Sequence, residues 1–232
     1  MSQPNDRKAQ VSAPGKIDAS LGEFWVGTPW EIFQQGHNLS CFERKRVYLN
    51  VPGKIRGRDF IEISTLTGAD NDSDGRSVAA GDFRNNGQLD LVVRQVGGGS
   101  VILYENNFPR RHYLKVTLRG QPNIGRIGNP SHATPSSGKL SSNRQGIGAR
   151  LVAMVNGQQL VREMYPVNSY RSQMPNIVHF GLGDAAKVDS LRIRWPSGQE
   201  QVLTNLAGDR HIVIEEGSQK VETVVPGKTI RP

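Results

Sequence analysis

An Asn-Gly pair between two extended, largely apolar runs places the tightest constraint on how this chain folds. The first run, Asn143–Val155, passes through Asn156-Gly157 into the second run, Gln158–Met164. Both central residues of a two-residue hairpin turn need a positive φ, which Asn and Gly supply at low steric cost. Gly146 and Gly148 allow the backbone to pass close to another segment before the first strand. The stretch therefore predicts a β-hairpin.

Short apolar runs bounded by turn residues continue on both sides of this hairpin. From His112 to Arg119, aliphatic and polar side chains alternate strictly, as a half-buried strand requires. The 26 glycines and 13 prolines favour short strands over long helices. The pattern predicts a mainly β chain. The other predicted strands are Val47–Leu49, Phe60–Ile63, Leu91–Val93, Val101–Tyr104, Val178–Leu182, Leu191–Trp195, Gln201–Leu203 and His211–Ile214.

Composition shifts divide the chain into four predicted parts. Residues 1–20 show no periodicity and are predicted to be a flexible tail, as are residues 218–232. Between them lie a hairpin region at 21–110 and a second domain at 111–217. Within that domain, 120–142 is a long loop rich in Gly, Pro, Ser and Asn. Loops of this length are usually functional or disordered, and this composition favours disorder.

Several blocks resemble a known pairing of modules. The segments Ala80–Val93 and Leu103–Asn107 resemble an FG-GAP or VCBS-type propeller repeat. Three further blocks, Asn143–Arg150, Val178–Asp184 and Val188–Gly198, resemble the ASPIC/UnbV domain of cartilage acidic protein relatives. The resemblance implies one or two propeller-blade-like antiparallel hairpin units followed by a β-sandwich-like domain. The chain has room for one or two blades, not for a complete propeller.

The many hairpins, the acidic loop and the lack of a nucleophile, base and orienter at a recognisable spacing predict a non-enzymatic binding or scaffolding module. Its partner would be a protein or carbohydrate ligand, or a second copy of the chain that pairs with open strand edges. Relatives in bacterial gene clusters, including those for enediyne biosynthesis, imply the alternative of an accessory enzyme of secondary metabolism. Other relatives are secreted or surface-associated, although Met1–Lys8 is polar and shows no signal peptide. We find no apolar run long enough to span a membrane.

The family repeat also implies calcium at one loop. Its ligand pattern maps onto Asp82, Asn86 and Asp90, with Gly87 to turn the loop. Calcium takes several oxygen ligands at about 2.4 Å, which Asp and Asn side chains on a tight loop supply. Arg84 stands at one ligand position and should weaken such a site. The alternative is that Asp82 and Asp90 stabilise the turn through side-chain hydrogen bonds to the backbone.

A second candidate for calcium lies just upstream. Asp70, Asp72 and Asp74, followed by Gly75, match the start of an EF-hand loop. The match fails at the twelfth position, where Gly81 replaces the bidentate Glu, and no flanking helices are predicted. Mutual repulsion of these carboxylates favours a bound cation. A solvated acidic turn that is neutralised by Arg76 or Arg84 is the alternative.

Catalytic signatures are sparse, which leaves enzymatic activity open but disfavoured. The five histidines are scattered, and neither His-Glu-x-x-His nor Gly-x-Ser-x-Gly occurs. His179 lies between Val178 and Phe180, so alternation predicts an ordinary surface or edge histidine. A pocket that gathers His179, Tyr170 and Asp184 would favour an enzyme. The single cysteine, Cys41, excludes an internal disulfide or a zinc framework.

Nucleic acid is the third class of partner considered. The net charge of +8 attracts anions, and basic runs occur at Arg44–Arg46, Lys54–Arg58 and Arg110–His112. Tyr48 and Tyr113 lie beside them, and such mixtures bind single strands through phosphate contacts and base stacking. A solvated basic face explains the same residues more simply, so nucleic acid ranks below a protein or carbohydrate partner.

Overall fold

The computed structural model describes residues 44–53, 57–71, 75–95, 100–121, 142–167 and 169–225. The predicted tail at 1–20, nearly all of the 120–142 loop, and the acidic residues Asp72 and Asp74 lie outside these ranges. The chain forms two compact units. One comprises the described residues up to Val78 together with Val92–Tyr104. The other comprises Ala79–Leu91 and the described residues from Glu105 onwards.

Short strands and one helical turn make up the first unit and its borders. Strands β1 (Tyr48–Pro52) and β2 (Arg58–Glu62) form an antiparallel hairpin, and α1 (Ser64–Thr67) follows. Strands β3 (Gly75–Gly81), β4 (Asp90–Gln95) and β5 (Ile102–Tyr104) form a three-stranded sheet in that order. The unit boundary falls within β3 and within β4. No helix in the described part of the chain is long and apolar enough to cross a membrane.

Two four-stranded sheets form the second unit. One sheet has the order β11-β10-β7-β8 and the other β13-β12-β6-β9. A mainly β fold is thus confirmed. The strands are β6 (His112–Arg119), β7 (Arg150–Val155), β8 (Gln158–Glu163), β9 (Val178–Gly183), β10 (Lys187–Arg194), β11 (Glu200–Ala207), β12 (Arg210–Glu215) and β13 (Val221–Thr223).

The central hairpin forms as the Asn-Gly pair predicts. Strands β7 and β8 pair antiparallel, with Val155 opposite Gln158 and Arg150 opposite Glu163. Asn156 has a φ of 48° and Gly157 a φ of 76°, so both turn residues are in the left-handed region. The local turn chemistry therefore sets the register of this pair.

One pairing in the second unit is parallel rather than antiparallel. Strands β6 and β12 run parallel, with Leu114 opposite Arg210 and Leu118 opposite Ile214. A parallel pair cannot be joined by a tight turn and needs a long connection. The chain between β6 and β12 passes through the other sheet, so no hairpin dictates their relative direction. Strand β13, beyond Gly217, lies in the segment predicted as a tail and pairs antiparallel with β12.

Both four-stranded sheets contribute side chains to one apolar core. Leu191, Ile193 and Trp195, which alternate with Arg192 and Arg194 in sequence, are buried in this core. The Trp195 indole donates a hydrogen bond from Nε1 to Gln201 Oε1 at 2.9 Å, which satisfies its polar group inside the core. The other large, fully buried core side chains are Phe180, Leu114, Leu151, Met164, Ile212, Ile214, Val116 and Val188.

Gly146 shows why the segment before β7 requires glycine. Its φ is +63°, and a Cβ built at this position would lie 2.8 Å from the Leu118 Cβ and 3.3 Å from the Trp195 ring. The backbone therefore passes directly against the core. Gly157 has a similar φ of +76°, but a Cβ there would meet nothing within 4 Å.

These two glycines form a matched pair for mutation. Gly157→Ala should lower the free energy of unfolding by about 1–2 kcal/mol, because a left-handed conformation costs that much for an L residue. Gly146→Ala carries the same cost plus the steric conflict with Leu118, so its loss should be at least about 1 kcal/mol larger. Urea unfolding of both variants measures the difference. Equal losses would mean that close packing at Gly146 does not limit stability.

Candidate functional site

The loop between β3 and β4 is shaped by the Asp82 carboxylate. Its Oδ1 accepts a hydrogen bond from the Asn86 backbone N–H and its Oδ2 accepts one from Gly87, each at 2.9 Å. The Asn86 Oδ1 in turn accepts the Gln88 backbone N–H at 2.9 Å. Asp and Asn side chains commonly hold turns in this way. The loop is therefore closed by its own side chains.

Gly87 permits the loop to approach the sheet. Its φ is +86°, and a Cβ at this position would lie 2.1 Å from two carbons of the Tyr113 ring. The Gly87 carbonyl accepts a hydrogen bond from His179 Nε2 at 2.8 Å. Because a carbonyl only accepts, Nε2 carries a proton. The Tyr113 and His179 rings are stacked, with centroids 6.0 Å apart.

A buried ion pair joins the loop to β6. Lys115 Nζ lies 2.7 Å from Asp82 Oδ2, and the two side chains are only 9% and 4% exposed. Burial alone would raise the pKa of Asp82. The hydrogen bonds from Lys115 and the Gly87 and Asn86 backbone outweigh burial, so the pKa lies below its usual value of 3.8. The Asp82 carboxylate is therefore charged at neutral pH.

Two histidines flank Lys115 across the sheet. Strand register places His179 of β9 and His211 of β12 opposite Lys115. Burial lowers the pKa of His179, and the nearby charges of Lys115 and Arg162 lower it further, against the opposing effects of Gly87 and Asp82. Burial and Lys115 likewise lower the pKa of His211, whose Nε2 lies 2.8 Å from Thr117 Oγ1. Both imidazoles are thus neutral near pH 7.

The proposed calcium positions in this loop hold a side-chain cation instead. Arg84 Nη2 donates to Asp90 Oδ1 at 2.9 Å and to the Asn106 carbonyl at 2.8 Å. Asp82 already accepts two backbone N–H groups and the Lys115 ammonium. Calcium needs free oxygens converging on one point. The donor set of Asp82, Asn86 and Asp90 therefore does not fit calcium while Arg84 and Lys115 are in place.

The upstream acidic segment is described only at Asp70. Arg44 Nη1 donates to its Oδ2 at 2.7 Å, and Thr65 Oγ1 lies 3.3 Å from the same oxygen. The other oxygen, Oδ1, is buried and has no hydrogen-bond partner among the described residues. In that part of the chain, no three His, Cys, Asp or Glu side chains form a group that could hold a metal.

The three residues proposed for an enzyme pocket each have different contacts. His179 contacts Gly87 and Tyr113 under the loop. Tyr170 is exposed and lies under the Arg171 guanidinium, 5.3 Å from ring centroid to Cζ. Asp184 is exposed and pairs with Arg111. Each of the three residues is therefore engaged with a different partner.

The sequence points to Arg84 as a cation that neutralises the acidic turn, but it does not predict the role of Lys115. Alternation correctly places Lys115 on the face opposite Leu114 and Val116, but it does not show that a loop covers that face. His179, predicted as a surface or edge histidine, is instead partly buried for the same reason. The sequence signal for this polar site was the position of Arg84 between acidic and amide side chains of the 82–90 loop.

The ion pair gives a direct test by a double-mutant cycle. Lys115→Met should lose about 3–5 kcal/mol of stability, because it leaves Asp82 buried and charged. Asp82→Asn keeps an oxygen for the backbone N–H groups, and adding it to Lys115→Met should recover about 1–3 kcal/mol. Urea unfolding measures the stability of the natural chain, of the two single variants and of the double variant. As control, the exposed Arg119–Glu222 pair at 3.3 Å should couple by less than about 1 kcal/mol. Additive losses at Lys115 and Asp82 would contradict the assignment.

The two partly buried histidines predict a pH dependence. Their folded-state pKa values lie below the usual 6.5, so the unfolded chain binds protons first as the pH falls. This contribution is fully present above the unfolded value and is lost as the pH falls through the folded values. The melting temperature should be lower at about pH 5.5 than at about pH 7.5, and the double variant His179→Gln, His211→Gln should reduce this drop. An identical drop in that variant would exclude these residues as its cause.

Comparison with known proteins finds a family match for part of the chain. Residues 138–221 match the profile of the ASPIC and UnbV family. No curated protein matches the chain significantly. The matched segment includes β7 to β12 and thus His179 and His211, whereas Asp82, Arg84 and Lys115 lie outside it. The ASPIC/UnbV resemblance is confirmed, and the FG-GAP/VCBS repeat stays a prediction. Residues 138–221 are therefore similar to the ASPIC/UnbV domain.

Proposed function

We propose that this chain is a non-enzymatic binding and scaffolding module that pairs with another protein strand at an open sheet edge. In this proposal a partial propeller-blade region precedes a β-sandwich of the ASPIC/UnbV type. The sequential order of β3, β4 and β5 supports a blade. The single core shared by the two four-stranded sheets supports a sandwich.

The observation that carries the proposal is the apolar edge at β5. Leu103 is 53% exposed and Val101, just before the strand, is 65% exposed. Within the described residues, β5 has β4 as a neighbour on one side only. An edge strand with exposed apolar side chains is a template for an added strand, because its backbone groups are free to pair. Soluble proteins usually protect such edges with charge.

The polar cluster under the 82–90 loop supports a structural role for that region. The Lys115 ammonium is neutralised by Asp82, and His179 donates to the Gly87 carbonyl. A general base must instead present a free nitrogen or oxygen to a substrate. These groups hold the loop on the sheet, as expected of a scaffold.

Exposed aromatic residues between β8 and β9 offer a second surface for a protein or carbohydrate ligand. Tyr165 and Tyr170 are both exposed, and Arg171 lies over the Tyr170 ring. Arg171 also has a φ of 53°, which is uncommon for a residue other than glycine. Tyr and Arg are enriched at binding hot spots. This surface is subordinate to the β5 edge in the proposal.

Calcium stabilisation through Asp70, Asp72 and Asp74 stays a prediction. The buried, unpaired Oδ1 of Asp70 supports it, whereas the contact of Oδ2 with Arg44 competes with it. Comparing the melting of the natural chain and of Asp70→Asn with and without calcium tests this segment separately from the 82–90 loop.

Light scattering over a range of concentrations tests the β5 edge, with a second copy of the chain as the simplest partner. The natural chain should approach twice the single-chain mass, whereas Leu103→Lys should need at least about tenfold more protein. The charge blocks pairing because an added strand would bury it. Leu66→Lys is the matched control, since Leu66 is 88% exposed but lies on α1. A single-chain mass for all three proteins, or an equal effect of both lysines, would contradict pairing at this edge.

A further inference from the structure

The guanidinium of Arg84 lies among four oxygens from two separate parts of the chain. Nη2 donates to Asp90 Oδ1 at 2.9 Å and to the Asn106 carbonyl at 2.8 Å. Nη1 lies 3.4 Å from both Glu105 Oε2 and Asn107 Oδ1. The set therefore contains two carboxylates, one backbone carbonyl and one side-chain amide. These are the oxygen types that calcium takes from proteins.

Asp90 gives an independent sign that this place requires a positive charge. Its side chain is 1% exposed. Oδ1 accepts the Asn106 backbone N–H at 2.8 Å in addition to Arg84. Oδ2 is buried without a hydrogen-bond partner among the described residues. A buried carboxylate with an unpaired oxygen is costly unless a cation lies beside it.

We propose that Arg84 is a tethered cation at a latent divalent-cation site formed by Asp90, Glu105, Asn106 and Asn107. The guanidinium neutralises the buried Asp90 carboxylate and joins the 82–90 loop to 105–107. The natural chain thus keeps this loop ordered without free calcium. This inference goes beyond the binding function proposed above and does not depend on it.

An ion and the guanidinium exclude each other at this site. Calcium would draw its ligand oxygens to about 2.4 Å from one point. The same oxygens now accept from Arg84, which is planar and donates in fixed directions. Removing the Arg84 side chain should therefore do two things together. It should destabilise the chain, and it should make the oxygens available to a divalent ion.

Calcium-dependent melting tests the proposal in chains that all carry Asp70→Asn, so that the upstream acidic segment cannot contribute. When a chelator has removed calcium, adding Arg84→Ala to the Asp70→Asn chain should lower its melting temperature. Calcium should then raise it by about 3–6 °C at about ten times its dissociation constant. The chain that retains Arg84 should not respond. Calorimetric titration of the Arg84→Ala chain should give one ion per chain.

Two matched variants sharpen the test. Adding Glu105→Gln to Arg84→Ala removes one carboxylate from the oxygen set, so it should reduce the calcium response. Arg162→Ala removes an exposed arginine that donates to the His179 and Val161 carbonyls and lies over the Phe180 ring, so it should give no calcium response.

Three outcomes would overturn the proposal. The first is an unchanged melting temperature for Arg84→Ala in chelator. The second is a lowered melting temperature that calcium does not raise. The third is a calcium response of equal size in the chain that retains Arg84. If Arg84→Ala does not fold, Arg84→Gln removes the charge at similar length, and the same outcomes apply to it.

Discussion

Burial of one face of β6 is the constraint on which the second unit depends. Leu114, Val116 and Leu118 enter the core that both four-stranded sheets share. Alternation then fixes Lys115 and Thr117 on the opposite face. A lysine there is stable beneath a loop only if the loop brings a carboxylate. Asp82 supplies it, so core packing indirectly determines the chemistry of the loop.

The 82–90 loop illustrates how a chain balances desolvation against pairing. Asp82 and Asp90 are both nearly inaccessible to water, and each carboxylate has a cationic side chain within hydrogen-bond distance. Coulomb attraction alone seldom compensates for burying two charges. At Asp82 the backbone N–H groups of Asn86 and Gly87 add the extra stabilisation. The loop is therefore held by charge and by turn geometry together.

Local rules predicted much of the fold, because the strands are encoded by alternation and turn residues. The Asn156-Gly157 turn, the inward positions of β10 and the hairpins could all be read from neighbours in sequence. The parallel pairing of β6 with β12 could not, since no local pattern specifies which distant strand lies beside β6. The site was predictable only in part. Asp82 and Asp90 stood out by type, whereas Lys115 gained its role from a fold that covers it.

The position of β6 between β9 and β12 affects how the chain matures during synthesis. Its antiparallel partner begins at Val178 and its parallel partner at Arg210, so both leave the ribosome long after β6 itself. Until then an aliphatic strand with two unpaired edges is present in the nascent chain. Such strands are prone to pair with other chains. Late arrival of the C-terminal strands thus makes this domain a candidate for chaperone protection while translation is still under way.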